Sequence, residues 1–197
     1  MTKPKILVTR RVPQECLDLL KSHFEIEHHN KATAIPRKRL LKSVKDKDGL
    51  LCLLTDKIDP ELLAAAPRLK AVSTFSVGYD HIDVPACKAR GVAVTNTPGV
   101  LTESTADFTW TLLMAAARRV VEGDAYMRGG KYKGWDPLMF LGADVFGKTL
   151  GVIGFGRIGQ AVARRAGGFS MRVLYYDTNR ASGDVEAALN AKFVPLD

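Results

Sequence analysis

The sequence predicts an α/β protein whose strands run parallel in sheets covered by helices. Three observations carry that prediction. Short apolar runs alternate with helical stretches across residues 5–98. A turn cluster, Asn96–Gly99 (NTPG), is followed by a long helical pattern that opens a second section. A further β-type run, Thr149–Phe155, leads through a glycine-rich turn into another helix. Strands that alternate with helices at this spacing imply parallel pairing, because each helical crossover returns the chain to the same end of the sheet.

Each element of the first section has a local reason. Ile6–Thr9 is a β-type run, and Gln14–Phe24 carries leucines at helical spacing. Phe24–His28 alternates as a strand does. Pro36 stands at a helix start, ahead of Arg37–Val44, where its missing N–H is no loss. Gly49–Leu54 is continuously apolar and is followed by a helix from Pro60. A second apolar run spans Leu69–Ser76, then a helix near Asp83–Arg90 and a strand at Val92–Thr95. Five strand units suffice for a small domain, expected over residues 1–99. Residues 100–197 then form a second one.

That second part begins with Thr102 as the expected N-cap. Glu103 and Asp107 lie in the first turns, where the helix dipole favours negative charge. The helical pattern runs to about Gly123. Phe108, Trp110, Leu112, Leu113, Met114, Val120 and Val121 make it apolar around most of its circumference, as for a helix buried between domains or subunits. Gly129–Pro137 reads as a glycine-rich, aromatic connector.

Composition excludes several classes. With 46% hydrophobic and 25% charged residues, the chain has the make-up of an ordinary globular protein. No apolar run approaches the ~18–20 residues that cross a bilayer, so no membrane partner is expected. Arg10 and Arg11 interrupt the N-terminal apolar stretch, which reads as a first strand and not as a signal peptide. Cys16, Cys52 and Cys87 form no C-x-x-C pair, so neither a disulfide framework nor a zinc site is indicated. These readings together point to the cytoplasm. The formal charge of +8 is read as a lysine-rich solvated surface, with Lys38–Lys47 as an exposed helix face. No basic cluster interleaved with aromatics suggests a nucleic-acid partner. A positive surface would still draw an anionic substrate and a pyrophosphate-bearing cofactor.

The chemistry is concentrated in TLGVIGFGRIGQAVARRA, which holds G-x-G-x-x-G at Gly154, Gly156 and Gly159. The pattern alone is weak. Its context is not: a buried-type strand precedes, a helix Arg157–Ala166 follows, and a second strand, Arg172–Tyr176, ends at Asp177. This is the order of a Rossmann dinucleotide fold. Gly154 makes the tight turn, Gly156 leaves room for a pyrophosphate, and Gly159 lets helix and strand pack. The candidate cofactor-binding set is therefore Gly154, Phe155, Gly156, Arg157, Ile158, Gly159 and Asp177. Amides around Arg157 and Ile158 face the phosphates, and Asp177 accepts from the ribose hydroxyls of NAD.

Other signals are weaker. Gly142–Thr149 (GADVFGKT) fits a nucleotide-hydrolase phosphate loop, but GKT leads into a strand and not a helix, so its amides cannot converge on phosphate. His28–His29 reads as a surface pair. His81, in GYDHID, could donate a proton, although its place before a helix favours capping.

On these residues the chain resembles the D-isomer-specific 2-hydroxyacid dehydrogenases, nearest the glyoxylate/hydroxypyruvate reductase branch. The resemblance rests on VGYDHIDV (77–84), GVAVTNTPGVLTESTAD (91–107), GKTLGVIGFGRIGQAVARRA (147–166) and YYDTNR (175–180). It implies a flavodoxin-like substrate domain followed by the first half of a Rossmann dinucleotide-binding domain. Val77 and Gly78 would present amides to the substrate carboxylate, with Leu54 lining that pocket and Thr102 near the nicotinamide. Trp135 would reach toward a neighbouring subunit. The implied activity is NAD-linked, rather than NADP-linked, interconversion of a small 2-keto acid and a D-2-hydroxy acid in a homodimer joined through residues 103–140.

The resemblance also carries a departure. The family's arginine clamp and its histidine–glutamate acid/base pair lie after the second cofactor strand. No position here matches them, and Val194–Asp197 resembles the third cofactor strand. No catalytic residue is therefore expected in this chain, which reads as C-terminally truncated and inactive alone. A strand left as an unpaired edge at Thr149–Phe155 argues the same way. The alternatives are a dinucleotide-sensing, corepressor-like binding protein and a non-catalytic dimerising fragment.

Overall fold

The computed structural model describes residues 2–196, which form two compact units, one up to Val100 and one from Leu101 onward. In the first unit, β1 (Lys5–Val8), α1 (Gln14–His23), β2 (Glu25–His28), α2 (Arg37–Ser43), β3 (Gly49–Cys52), α3 (Pro60–Ala65), β4 (Ala71–Thr74), α4 (Val84–Ala89) and β5 (Ala93–Thr95) follow one another. All pairings are parallel, in the order β2-β1-β3-β4-β5. The chain reverses direction across the sheet between β1 and β3, where sheets of this kind place ligands at the carboxyl ends of the strands.

Burial explains this arrangement. Leu7, Leu50, Cys52 and Val72 point to one face, where they pack with Leu40 and Val44, with Leu62 and Leu63 of α3, and with Cys87 of α4. Ile6 and Val8 point to the opposite face, against Leu17 of α1. Alternate residues of β1 thus serve two cores, as a period of two requires. Asp59 and Asp83 cap α3 and α4 by accepting the Leu62 and Ala86 amides, each helix having proline in its first turn.

The second unit contains α5 (Thr102–Ala117), α6 (Val120–Arg128), β6 (Thr149–Ile153), α7 (Arg157–Ala166), β7 (Arg172–Tyr176), α8 (Gly183–Ala188) and β8 (Ala191–Phe193). The sheet is parallel in the order β6-β7-β8, with Val152 opposite Tyr175 and Ile153 opposite Tyr176. Its core joins Ala106 and Trp110 of α5, Ala161, Val162, Ala163 and Ala166 of α7, and Val173 and Tyr175 of β7. Small alanines on α7 let it lie close to α5. Trp110 stacks on Phe169 at 4.8 Å and donates its indole N–H to the Val162 carbonyl at 3.0 Å. Among the described residues β6 is paired on one side only, and Ile153 is 77% exposed.

Several expectations need correction. Thr102 is the first helical residue and makes no side-chain cap; Leu101 occupies the N-cap. The long helix breaks at Arg118, because Arg119 adopts a left-handed conformation (φ 54°) before α6 begins. Only Ala106 and Trp110 of α5 are buried within this chain, and Phe108 is 62% exposed. The His28–His29 pair is not a surface feature. His29 is 4% exposed, and His28 Nε2 lies 2.9 Å from the Arg10 carbonyl. Lys47 is buried, paired with Glu27 at 2.9 Å and with Asp46, so only part of the basic run is solvated. The strand expected at 194–197 is instead β8, Ala191–Phe193, with residues 194–196 beyond it and Asp197 outside the described residues. The GKT segment turns at Gly147 (φ 69°) and enters β6 directly, which leaves it no helix start.

Candidate functional site

In the second unit the three motif glycines stand in three different situations. Gly154 has φ 88°, a conformation L side chains rarely adopt, and its amide donates to the Tyr176 carbonyl at 2.8 Å. Gly159 lies against that turn: a Cβ there would fall 2.1 Å from the Gly154 carbonyl oxygen. Gly156 has ordinary backbone angles and open space where its Cβ would be. Neither conformation nor packing within this chain requires glycine at 156. The amides of Gly156, Arg157, Ile158 and Gly159 donate to no acceptor among the described residues. They are the orphan donors of the start of α7, where the helix dipole adds positive potential.

Asp177 follows β7 and reaches across to the glycine turn. Its Oδ2 accepts the Phe155 amide at 2.6 Å, and its Oδ1 accepts the Asn179 amide at 2.9 Å. These backbone donors, Asn179 first and Phe155 second, hold its carboxyl below the usual range. Phe155 itself is buried and stacked on Tyr175 at 3.9 Å between centroids. With side chain in the core and amide taken by Asp177, Phe155 shapes the turn and offers no donor outward. Arg180 is held by Glu186 and lies over the Phe193 ring.

In the first unit, Leu54, Val77 and Gly78 sit on the loops after β3 and β4, at the carboxyl ends of adjacent strands. Leu54 is exposed, and its Cδ2 lies 3.9 Å from the place a Gly78 Cβ would take. The Val77 and Gly78 amides have no acceptor among the described residues. The preceding carbonyls are both engaged: Ser76 O accepts the Thr97 amide at 3.0 Å, and Val77 O accepts Asn96 Nδ2 at 2.8 Å. A trans peptide sets its N–H opposite its C=O. Anchoring the two carbonyls on Asn96–Thr97 therefore turns the two amides the other way. An apolar cavity of about 370 Å³, lined by Pro4, Ile6, Leu20 and Phe24 among others, lies at the opposite ends of β3 and β4, near Gly49 and Ala71.

Sequence reading misses Asn96, which stands in a turn cluster with nothing to mark its side chain, and it misreads His81. The His81 side chain caps nothing. Its Nε2 lies 3.1 Å from Thr74 Oγ1, and its Nδ1 is buried without a partner. Trp135 is 82% exposed, and Thr102 opens α5 half-buried. No histidine pairs with a carboxylate among the described residues; His28 meets a carbonyl and His81 a hydroxyl.

Comparisons with known proteins agree with one another. Residues 6–192 match the family model described as D-isomer specific 2-hydroxyacid dehydrogenase, catalytic domain. A glyoxylate reductase of Korarchaeum cryptofilum is 54% identical over 196 residues, and one of Thermococcus gammatolerans is 52% identical over 199. Each alignment covers 99% of this chain and 59% of the relative, so the chain spans about three-fifths of these proteins' length. A crystal structure of a Thermus thermophilus protein superposes with a TM-score of 0.88 at 46% identity, over 96% of this chain and 59% of that one. D-lactate dehydrogenase from Aquifex aeolicus, crystallised with NAD and lactic acid, gives 0.79 at 29% identity, over 96% and 55%.

Proposed function

Because this chain belongs to the D-isomer specific 2-hydroxyacid dehydrogenase family, we propose that it supplies the dinucleotide-binding turn and the substrate-carboxylate loop of an NAD(H)-dependent reductase. The substrate would be a small 2-keto acid, glyoxylate or hydroxypyruvate. The observation that carries the reading is Gly156. An ordinary backbone and an empty Cβ position leave its lack of a side chain without explanation inside the protein. A pyrophosphate brought close to the backbone supplies one, and the four unclaimed amides beside it are suited to its oxygens.

The parts divide as follows. Gly156, Arg157 and Ile158 would bind the pyrophosphate through backbone N–H groups. Asp177, already oriented by the Phe155 and Asn179 amides, would accept from the adenosine ribose hydroxyls and select NAD over NADP. Val77 and Gly78 would donate to the substrate carboxylate, while Leu54 excludes water from one side of it. Thr102 would stand toward the nicotinamide. The bound cofactor supplies the hydride. An acid/base and an arginine clamp are needed besides, and no histidine–carboxylate pair among the described residues provides the first. The exposed apolar side chains of residues 103–140 would be covered by a second copy of the chain.

Titration with NADH, followed by calorimetry, tests this. The unaltered chain is expected to bind, whereas Gly156→Val should keep its melting temperature and lose most of its affinity. Equal affinity in the variant would refute the reading. Purified alone, the 197-residue chain is expected to oxidise no NADH with glyoxylate, since losing an acid/base typically costs ~10²–10⁴-fold.

A further inference from the structure

The loop that carries the Val77 and Gly78 amides is connected to a histidine whose ring makes no direct hydrogen bond to either residue. Ser76 Oγ donates to the Gly78 carbonyl at 2.7 Å, Thr74 Oγ1 lies 2.6 Å from Ser76 Oγ, and His81 Nε2 lies 3.1 Å from Thr74 Oγ1. Each hydroxyl has one proton, and a carbonyl can only accept. Ser76 gives its proton to Gly78, so Thr74 must donate to Ser76. Thr74 then has none left, so His81 Nε2 must be the donor to Thr74. The direction of every bond in the chain is thereby set, and so is the tautomer: Nε2 carries the proton and Nδ1 is bare.

The surroundings of His81 fit this assignment. Nδ1 is buried with no partner among the described residues, so protonating it would place a buried N–H without a protein acceptor. Burial accordingly pushes the imidazole below its ordinary pKa, outweighing Asp56 and Asp80, the two carboxylates that favour charge on it. Cys52 Sγ, 3.8 Å from Nε2, is buried and stays a neutral thiol, its pKa pushed up to about 12. The backbone of His81 is fixed independently, since its carbonyl accepts the Ile58 amide at 2.8 Å and Ile82 pairs with Ile58. One end of the chain of hydroxyls is thus anchored in the framework, and the other ends on a glycine.

We propose that His81 is a positioning residue that, through Thr74 and Ser76, holds the Gly78 carbonyl and so steadies the turn whose 77–78 amides would meet a carboxylate. Its functional half rests on the substrate-loop reading above. Gly78 has the freest backbone of the loop. Asn96 pins the peptide before its Cα through Val77 O, and the His81 chain pins the peptide after it. The Gly78 amide belongs to the first peptide and the Tyr79 amide to the second; with both held the turn at Gly78 cannot relax, and with the second released the Asn96 bond alone holds the first.

The test uses the isotope-labelled chain and oxalate as the carboxylate probe. Ring-nitrogen NMR of the unliganded protein at neutral pH should find the proton on Nε2 and a bare Nδ1. Thr74→Val, which keeps shape and removes the hydroxyl, should shift the Gly78 carbonyl and Tyr79 amide signals and weaken oxalate about 2- to 10-fold, the scale of one lost hydrogen bond. His81→Phe should do the same, and His81→Gln, which restores an N–H donor, should recover most of the affinity. A proton on Nδ1, or Gly78 signals unmoved in Thr74→Val, overturns the relay even if His81→Phe fails to fold. Oxalate that moves neither the Val77 nor the Gly78 amide in the unaltered protein overturns the carboxylate reading, while the tautomer and carbonyl signals still judge the relay.

Discussion

Arg180 is held by Glu186 through two contacts, Nε to Oε1 at 2.9 Å and Nη2 to Oε2 at 3.0 Å, and Glu186 also accepts the Tyr175 hydroxyl at 2.7 Å. An arginine three residues after Asp177 would otherwise be the natural partner of a 2′-phosphate. Bound to Glu186, it must break this pair before it can turn to a cofactor. On the proposed reading Asp177 would then govern the pocket alone, and a carboxylate there would repel a 2′-phosphate. NADH is expected to bind at least about tenfold more tightly than NADPH, equivalent to one decade in Kd. Asp177→Ser should narrow that ratio, and adding Glu186→Gln should narrow it further by freeing Arg180. Calorimetry on the three proteins decides it, and tighter NADPH binding to the unaltered chain would reverse the argument.

Glu186 should also leave a mark on acid stability. Arg180 first, and Tyr175 second, depress its carboxyl to about 2. A folded pKa below the unfolded value of about 4.5 means the contribution is complete above pH 4.5 and is lost as pH falls through about 2. The melting-temperature difference between the unaltered chain and Glu186→Gln should be constant above about pH 4.5 and shrink below it. A difference that grows on acidification would contradict the pairing.

Gly156 and Gly159 should fail in different ways. A Cβ at 159 would lie 2.1 Å from the Gly154 carbonyl oxygen, so β6 and α7 must separate. Gly159→Ala should therefore destabilise the second unit by about 1–3 kcal/mol or more, as overpacking does. At 156 a Cβ meets nothing within 4 Å, so Gly156→Ala should melt normally and bind NADH more weakly. Equal melting temperatures for the two variants would show that the turn relaxes more easily than its geometry implies.

The apolar surface makes assembly testable. Phe108, Leu112, Val121, Trp135 and Leu138 are all exposed in the single chain, and large exposed apolar side chains that join into one patch mark interaction surfaces. Light scattering at micromolar concentration should find a dimer or larger species. Val121→Glu should shift it toward monomer. A clean monomer in the unaltered protein would remove the second copy from the proposal.

Much of this protein is legible in its residues alone. Short apolar runs and leucines at helical spacing locate β1 to β7 and most helices to within a residue or two, because strands covered on both faces are apolar nearly throughout and helices repeat their apolar residues at their own pitch. β7 and α7 have the bounds that their residues predict, Arg172–Tyr176 and Arg157–Ala166. The glycine turn is legible because local geometry restricts it: a left-handed residue at 154 and a contact closed to any side chain at 159 leave glycine alone. Tertiary structure decided the rest. The break at Arg118–Arg119 falls within a run of good helix formers, where no local signal marks it. His29 and Lys47 are buried, Lys47 against Glu27 twenty residues away, and polar residues announce no such burial in sequence. The link from Asn96 to Val77 joins the ends of β5 and β4, while that from His81 through Thr74 and Ser76 to Gly78 closes within the end of β4 and the loop after it. Hydrogen bonds depend on distances of about 3 Å that the folded sheet and the loop after β4 bring about, so residue types named the candidate amides while only the tertiary structure determined which side chains hold them.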